Sequence, residues 1–274
     1  MACMPDLRVN GVRLAVEDVG DGPAILLVHG FPHDASLWQH QMSGLNGFRR
    51  VAPDLRGMGR SDAPESGYSM AGYAADLRTL MDRLVLDRVV LCGLSMGGYI
   101  AFECLRLWPD LIAGLVLIDT RAEPDTEEGR KGRDALIAEV RGGGSAVLPG
   151  ALLGKQLSAV TTERQPDVVS QVRRMMLSTP VPGVVGALEA MKQRADSRPL
   201  LPTLGRIPVL VMCGKEDVLT PPDAARAMAD AIPGAELELV PDAGHLAPLE
   251  RPDLVTSRLH QFLDQRVKAL GMRV

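Results

Sequence analysis

The 274-residue chain is long enough to bury a substantial core, and its length suits one α/β domain with one inserted subdomain. Its 46% hydrophobic and 23% charged residues are ordinary for a globular protein and argue against disorder or a fibre. A net charge of -4 gives no chain-wide attraction to nucleic acid or anionic membranes, and no apolar run approaches the roughly 20 residues that span a bilayer.

Met1 to Asn10 carries Asp6 and Arg8 and has no apolar stretch suited to a signal peptide, so a soluble, cytoplasmic protein is expected. The chain opens on a predicted hairpin: Leu7 to Val9 and Val12 to Val16 flank Asn10-Gly11, two residues that tolerate the positive φ of a two-residue turn. Short β-rich segments then alternate with amphipathic ones, the pattern of a mostly parallel sheet. The expected strands are Ala24 to His29, Arg50 to Ala52, Val89 to Cys92, Leu115 to Ile118, Val209 to Met212 and Leu237 to Val240. Between them the expected helices are Ser36 to Leu45, Met70 to Leu84, Gly97 to Leu107, Pro222 to Ala231 and Pro252 to Val267.

The alternation breaks after Asp119. From Thr120 to Arg206 nothing reads as a buried strand, while Thr126 to Val140, Ala146 to Leu157, Glu163 to Leu177 and Val184 to Arg194 read as helices. Residues 120–206 are therefore expected to form a helical cap on a core of residues 1–119 and 207–274. Glycines 142 to 144 and the prolines at 149, 166, 180 and 182 mark its loops or first helical turns. The insertion contains no Phe, Trp, Tyr or His, so it offers neither a general base nor an aromatic platform.

Cysteines 3, 92, 104 and 213 show no Cys-x-x-Cys pair, and Cys92 and Cys213 lie in apolar runs that read as buried strands. His29 and His33 have helical spacing, but Gly30 and Pro32 between them argue against a helix, and no carboxylate or thiolate completes a ligand set. No metal and no cofactor are expected.

The expected strand 89–92 runs into Gly93-Leu94-Ser95-Met96-Gly97-Gly98 and then a helix. A sharp strand-to-helix turn crowds the backbone, so glycines flank a serine whose hydroxyl projects at the carboxyl edge of the sheet. A serine attacks only when a base takes its proton, and His245, in the loop Asp242-Ala243-Gly244-His245-Leu246 after a strand, is the histidine best placed to do so. Asp217, in Gly214-Lys215-Glu216-Asp217-Val218 at the end of the preceding strand, is the carboxylate expected to orient it. Two rivals stand beside Asp217. Glu216 reads as a solvated loop charge, while Asp119 also follows a strand and could reach a histidine from a neighbouring one. Backbone N–H groups of Met96 and Phe31 are expected to hold an oxyanion, with His29 bracing the Phe31 loop.

With the elbow at Ser95, His29-Gly30-Phe31-Pro32, the stretch Asp54 to Ser61, the acid loop and Gly244-His245 in this order, the chain resembles the α/β-hydrolase superfamily from about Val12 to Leu263, outside the cap. The resemblance implies the α/β-hydrolase fold, a mostly parallel sheet flanked by helices. The Asp54 to Ser61 stretch has Asp62 where a third dinucleotide-fingerprint glycine would fall and does not support a nucleotide site. Relatives similar to haloalkane dehalogenases and epoxide hydrolases carry an aspartate at the elbow, and hydroxynitrile lyases commonly place a lysine beside the catalytic histidine. This chain has Ser95 and Leu246 at those places, which disfavours all three. The elbow and helical cap look similar to those of 3-oxoadipate enol-lactonases, arylesterases and cofactor-free haloperoxidase or perhydrolase relatives. The expected partner is a small-molecule ester or lactone. Perhydrolysis, acyl transfer and a triad-retaining receptor are the alternatives.

Overall fold

In the computed structural model, which describes residues 6–267, eight strands form one sheet in the order β1-β2-β4-β3-β5-β6-β7-β8. They are β1 (Asp6–Val9), β2 (Val12–Val19), β3 (Ala24–Val28), β4 (Arg49–Pro53), β5 (Val89–Leu94), β6 (Ile112–Ile118), β7 (Val209–Gly214) and β8 (Glu236–Val240). The β1–β2 and β2–β4 pairs are antiparallel and every later pair is parallel. This is the α/β-hydrolase fold. Every residue of β3, β5, β6 and β7 is buried. Strands covered on both faces need no polar alternation, which is why the sequence reads there as unbroken apolar runs. At the opening hairpin Asn10 and Gly11 take φ values of 44 and 83°, the turn their residue types favour.

Helices α1 (Gln39–Gly44), α2 (Met70–Arg83) and α3 (Met96–Leu107) precede the insertion. Within it lie α4 (Glu127–Gly143), α5 (Leu148–Gln156), α6 (Ala159–Arg164), α7 (Pro166–Ser178) and α8 (Val181–Lys192), and after it α9 (Pro222–Ala231), α10 (Ala247–Glu250) and α11 (Pro252–Phe262). Side-chain caps start several of them. Ser69, Thr126 and Ser158 each accept the backbone N–H three residues on, at 2.9, 3.1 and 3.1 Å. Helix α2 packs on α3, α1 on α11, and within the insertion α4 on α8 and α5 on α7.

Several boundaries depart from the sequence expectations for local reasons. The expected helix over 36–45 divides into a 3-10 turn, Ala35–Trp38, and α1. The expected helix over 163–177 is two, because Gln165 precedes Pro166 and takes φ -127°, ψ 65°, outside the helical region that a following proline disfavours. Glycines 142 and 143 continue α4, and the helix ends only at Gly144, with φ 67°. Helix α11 stops at Phe262 and a π turn covers Leu263–Val267, while α10 and a 3-10 stretch over Arg198–Arg206 have no counterpart in the sequence reading. No helix among the described residues is long and apolar enough to cross a membrane.

Candidate active site

Parallel register carries four chemistry-bearing residues to one edge of the sheet. Leu94 pairs with Ile118, Ile118 with Met212, and Gly214 with Val240. The residues just beyond those strand ends, Ser95, Asp119, Asp217 and His245, therefore meet at the carboxyl edge, where open α/β sheets place their sites.

Ser95 takes φ 53° and ψ -112°, a strained conformation for a residue with a Cβ, and it caps α3. The turn closes only because its neighbours are glycines: a Cβ on Gly97 would lie 2.2 Å from the Val28 carbonyl oxygen, and one on Gly93 would lie 2.4 Å from the Gly97 backbone. The turn is tied to the next strand by the Ser95 N–H to the Ile118 carbonyl at 2.9 Å and by the Thr120 hydroxyl to the Ser95 carbonyl at 2.8 Å.

The Ser95 Oγ lies 2.8 Å from His245 Nε2, and His245 Nδ1 lies 2.8 Å from Asp217 Oδ2. Asp217 is fixed by its own loop, accepting the Leu219 and Thr220 N–H groups at 2.8 and 3.0 Å and the Thr220 hydroxyl as well. Asp217 and His245 are 2% and 3% exposed, so neither ion is held by water. Burial opposes the charged form of each, and their mutual attraction outweighs it: Asp217 is held below the usual carboxylate range and His245 above 6.5.

Neither rival carboxylate bonds to His245 among the described residues. Glu216 is exposed, as expected of a loop charge. Asp119 makes no hydrogen bond to His245; its oxygens accept the Gly214 N–H at 2.7 Å and the Ala247 N–H at 3.2 Å, which ties the acid loop to the start of α10. Burial and the nearby Asp217 charge push its pKa up to about 8.

Phe31 lines the same cavity as Ser95 and His245, and Met96 is the buried first residue of α3. His29 braces the Phe31 loop. Its Nε2 accepts the Leu55 N–H at 3.0 Å, which leaves Nδ1 to donate to the Gly30 carbonyl at 2.9 Å. Cys3 lies outside the described residues. Asp119, Cys213 and Asp217 bring ligand atoms within 4.8 Å of one another. The donor set suits a metal badly: burial pushes the Cys213 thiol up, its Sγ–H donates to two carbonyls, and the carboxylates are engaged as described.

Two residues absent from the sequence reading hold this edge together. Gln156, at the end of α5, donates to the Phe31 carbonyl at 3.1 Å, contacts His33 Nε2 at 3.1 Å, and accepts the His245 N–H on its own backbone carbonyl at 2.9 Å. Glu250, 1% exposed, accepts the N–H groups of Gly244 and Leu246 on one oxygen, at 2.9 and 3.2 Å, and that of Ser158 on the other at 2.8 Å. The helical insertion is thus bonded to both loops that face Ser95. Beneath it opens a cavity of about 890 Å³, within the usual range of small-molecule sites, lined in part by Phe31, Ser95, Tyr99, Arg121 and His245.

A family model described as alpha/beta hydrolase fold matches residues 23–252. The structure superposes on a thermophilic esterase from Thermogutta terrifontis, described as malate bound, with a TM-score of 0.91 and 40% identity, covering 96% of this chain and 97% of that one. It superposes on the enol-lactonase from Burkholderia xenovorans LB400 with a TM-score of 0.88 and 32% identity over 95% and 100% of the two chains. The AB hydrolase superfamily protein YisY from Bacillus subtilis is 29% identical over 92% of this chain and 95% of its own.

Proposed function

The chain belongs to the alpha/beta hydrolase fold family and is a hydrolase, and from that premise we propose that it cleaves carboxylic esters or lactones of small molecules through an acyl-enzyme on Ser95. The observation that carries this reading is the continuous hydrogen-bonded chain from the Ser95 hydroxyl through His245 to Asp217, opening on a cavity large enough for a small ester.

In this reading His245 Nε2 takes the Ser95 proton as Oγ attacks the substrate carbonyl, and Asp217 stabilises the imidazolium that forms. The N–H groups of Met96 and Phe31, with the amino end of α3 behind Ser95, hold the oxyanion. His245 then protonates the leaving alcohol. Water enters, loses its proton to His245 and releases the acid, which restores Ser95. An esterase and an enol-lactonase among the similar structures support this substrate class. A cytoplasmic setting belongs to the same reading and suits the free, buried Cys92, Cys104 and Cys213.

The test is a panel of esters and lactones of graded acyl length. Turnover of at least one class by the wild type, abolished in Ser95→Ala, is expected. No turnover across the panel, or turnover that survives in Ser95→Ala, contradicts the proposal.

A further inference from the structure

Two cations in the wall of the cavity, Arg121 and the exposed Lys155, make no ion pair among the described residues, and of the two Arg121 is the one with a buried, unpartnered donor. Arg121 follows β6 by three residues and lines the same space as Ser95 and His245, yet its buried Nε–H has no hydrogen-bond partner among the described residues. The acidic groups near it are otherwise disposed. Asp125 is taken by Arg133 and Arg194 together, Glu139 is exposed at the rim, and the neighbouring Glu123, whose Oε2 is itself unpartnered, makes no ion pair with it.

The position is rigid as well as unpaired. On one side of Arg121, the Thr120 hydroxyl is bonded to the Ser95 carbonyl at 2.8 Å and the Asp119 N–H to the Met212 carbonyl at 3.0 Å. On the other, the Ala122 carbonyl accepts the Ser197 N–H at 2.9 Å. The backbone carrying the guanidinium is therefore locked to the backbone carrying the nucleophile. Its charge reaches His245, where it opposes protonation of the imidazole. A guanidinium offers a planar fork of donors that matches a carboxylate in two parallel hydrogen bonds, and such bonds strengthen as water is excluded.

We propose that Arg121 anchors a free carboxylate on the substrate, so that the preferred substrates are half-esters or lactones of acids bearing a second, ionised acid group. This rests on the hydrolase reading above for its chemistry and on Arg121 alone for its selectivity.

The experiment pairs monoethyl succinate, glutarate and adipate with ethyl butanoate, pentanoate and hexanoate, each pair equal in acyl carbon number. Acid release is followed in wild type, Arg121→Gln, Arg121→Lys and Ser95→Ala at a pH where the carboxylates are ionised. The readout is the charged-to-neutral ratio of kcat/KM, in which a general loss of folded enzyme cancels. The wild type is expected to favour the charged member of at least one pair, with a ratio that falls roughly 10- to 100-fold in Arg121→Gln, as loss of a charged hydrogen-bond pair implies, and recovers in part in Arg121→Lys. A ratio of one or less at every length, or one that Arg121→Gln leaves unchanged, overturns the proposal. If no ester is turned over, or turnover survives in Ser95→Ala, it is the hydrolase reading that fails. Calorimetric binding of glutarate to Ser95→Ala and to Ser95→Ala/Arg121→Gln then decides on the anchor alone: binding lost with Arg121 supports it, and undetectable or equal binding contradicts it.

Discussion

The backbone carbonyl of Gln156, at the last residue of α5, accepts the backbone N–H of His245 at 2.9 Å. The same residue's side chain donates to the Phe31 carbonyl at 3.1 Å and meets His33 Nε2 at 3.1 Å. One residue of the helical insertion thus braces the loops proposed to supply the base and an oxyanion donor. In Gln156→Leu the Phe31 carbonyl and His33 are left buried and unpaired, which costs about 1–3 kcal/mol. A fall in Tm of roughly 2–10 °C is expected, with a fall in kcat/KM toward a short ester. A variant with wild-type Tm and kinetics would show that the bridge contributes nothing.

Glu250 gives a second prediction of the same kind. It flanks His245 by accepting from Gly244 and Leu246, and it reaches the insertion through Ser158. Glu250→Gln keeps the shape but presents an amide donor to at least one of these N–H donors. Hydrogen bonds to a charged group contribute about 1.5–3 kcal/mol each, so Tm should fall by several degrees and the rate with it. Equal thermal melts for the two proteins would count against this role.

The pH dependence follows from the pair at the centre of the site. Burial lowers and Asp217 raises the His245 pKa, and the net direction is upward from 6.5. A general base works only when unprotonated, so kcat/KM should rise with pH through an ionisation displaced upward from the ordinary histidine value. Asp217→Asn removes the raising influence. Its residual activity, expected to be lower by about 10⁴-fold, should show an ionisation shifted to lower pH. An unshifted profile with near-normal activity would return the acid role to another carboxylate.

How much of this was legible in the sequence depends on chain distance. Ser95, Asp217 and His245 could be named because each follows a strand, and β5, β7 and β8 run parallel, so their carboxyl ends fall on one edge of the sheet. The split at Gln165 was written locally, in Pro166. By contrast, Gln156 meets Phe31 across 125 residues, Glu250 meets Ser158 across 92, and Arg121 is notable only for the partner it lacks. Such contacts depend on how the insertion sits over the sheet, and no local pattern of apolar and polar residues encodes that.

His33 gives a prediction about stability. Burial, with the nearby His29 acting in the same direction, pushes its pKa down to about 3. Between pH 6.5 and about 3 the unfolded chain binds a proton there that the folded chain refuses, so stability falls as pH falls through that window. The slope from one such group is about 1.4 kcal/mol per pH unit. Urea denaturation between pH 6.5 and 4.5 should show a slope shallower by about that amount in His33→Gln than in the wild type. Equal slopes would mean that His33 takes up its proton in the folded state.

The central claim is covalent chemistry at Ser95, and its most direct measurement is the mass of the intact protein after rapid acid quenching during turnover of an activated ester, followed by peptide mapping. The account predicts a transient increase equal to the acyl group, located on the peptide containing Ser95 and absent from Ser95→Ala. Turnover with no acylated protein, or acylation on another residue while Ser95→Ala retains activity, would contradict it.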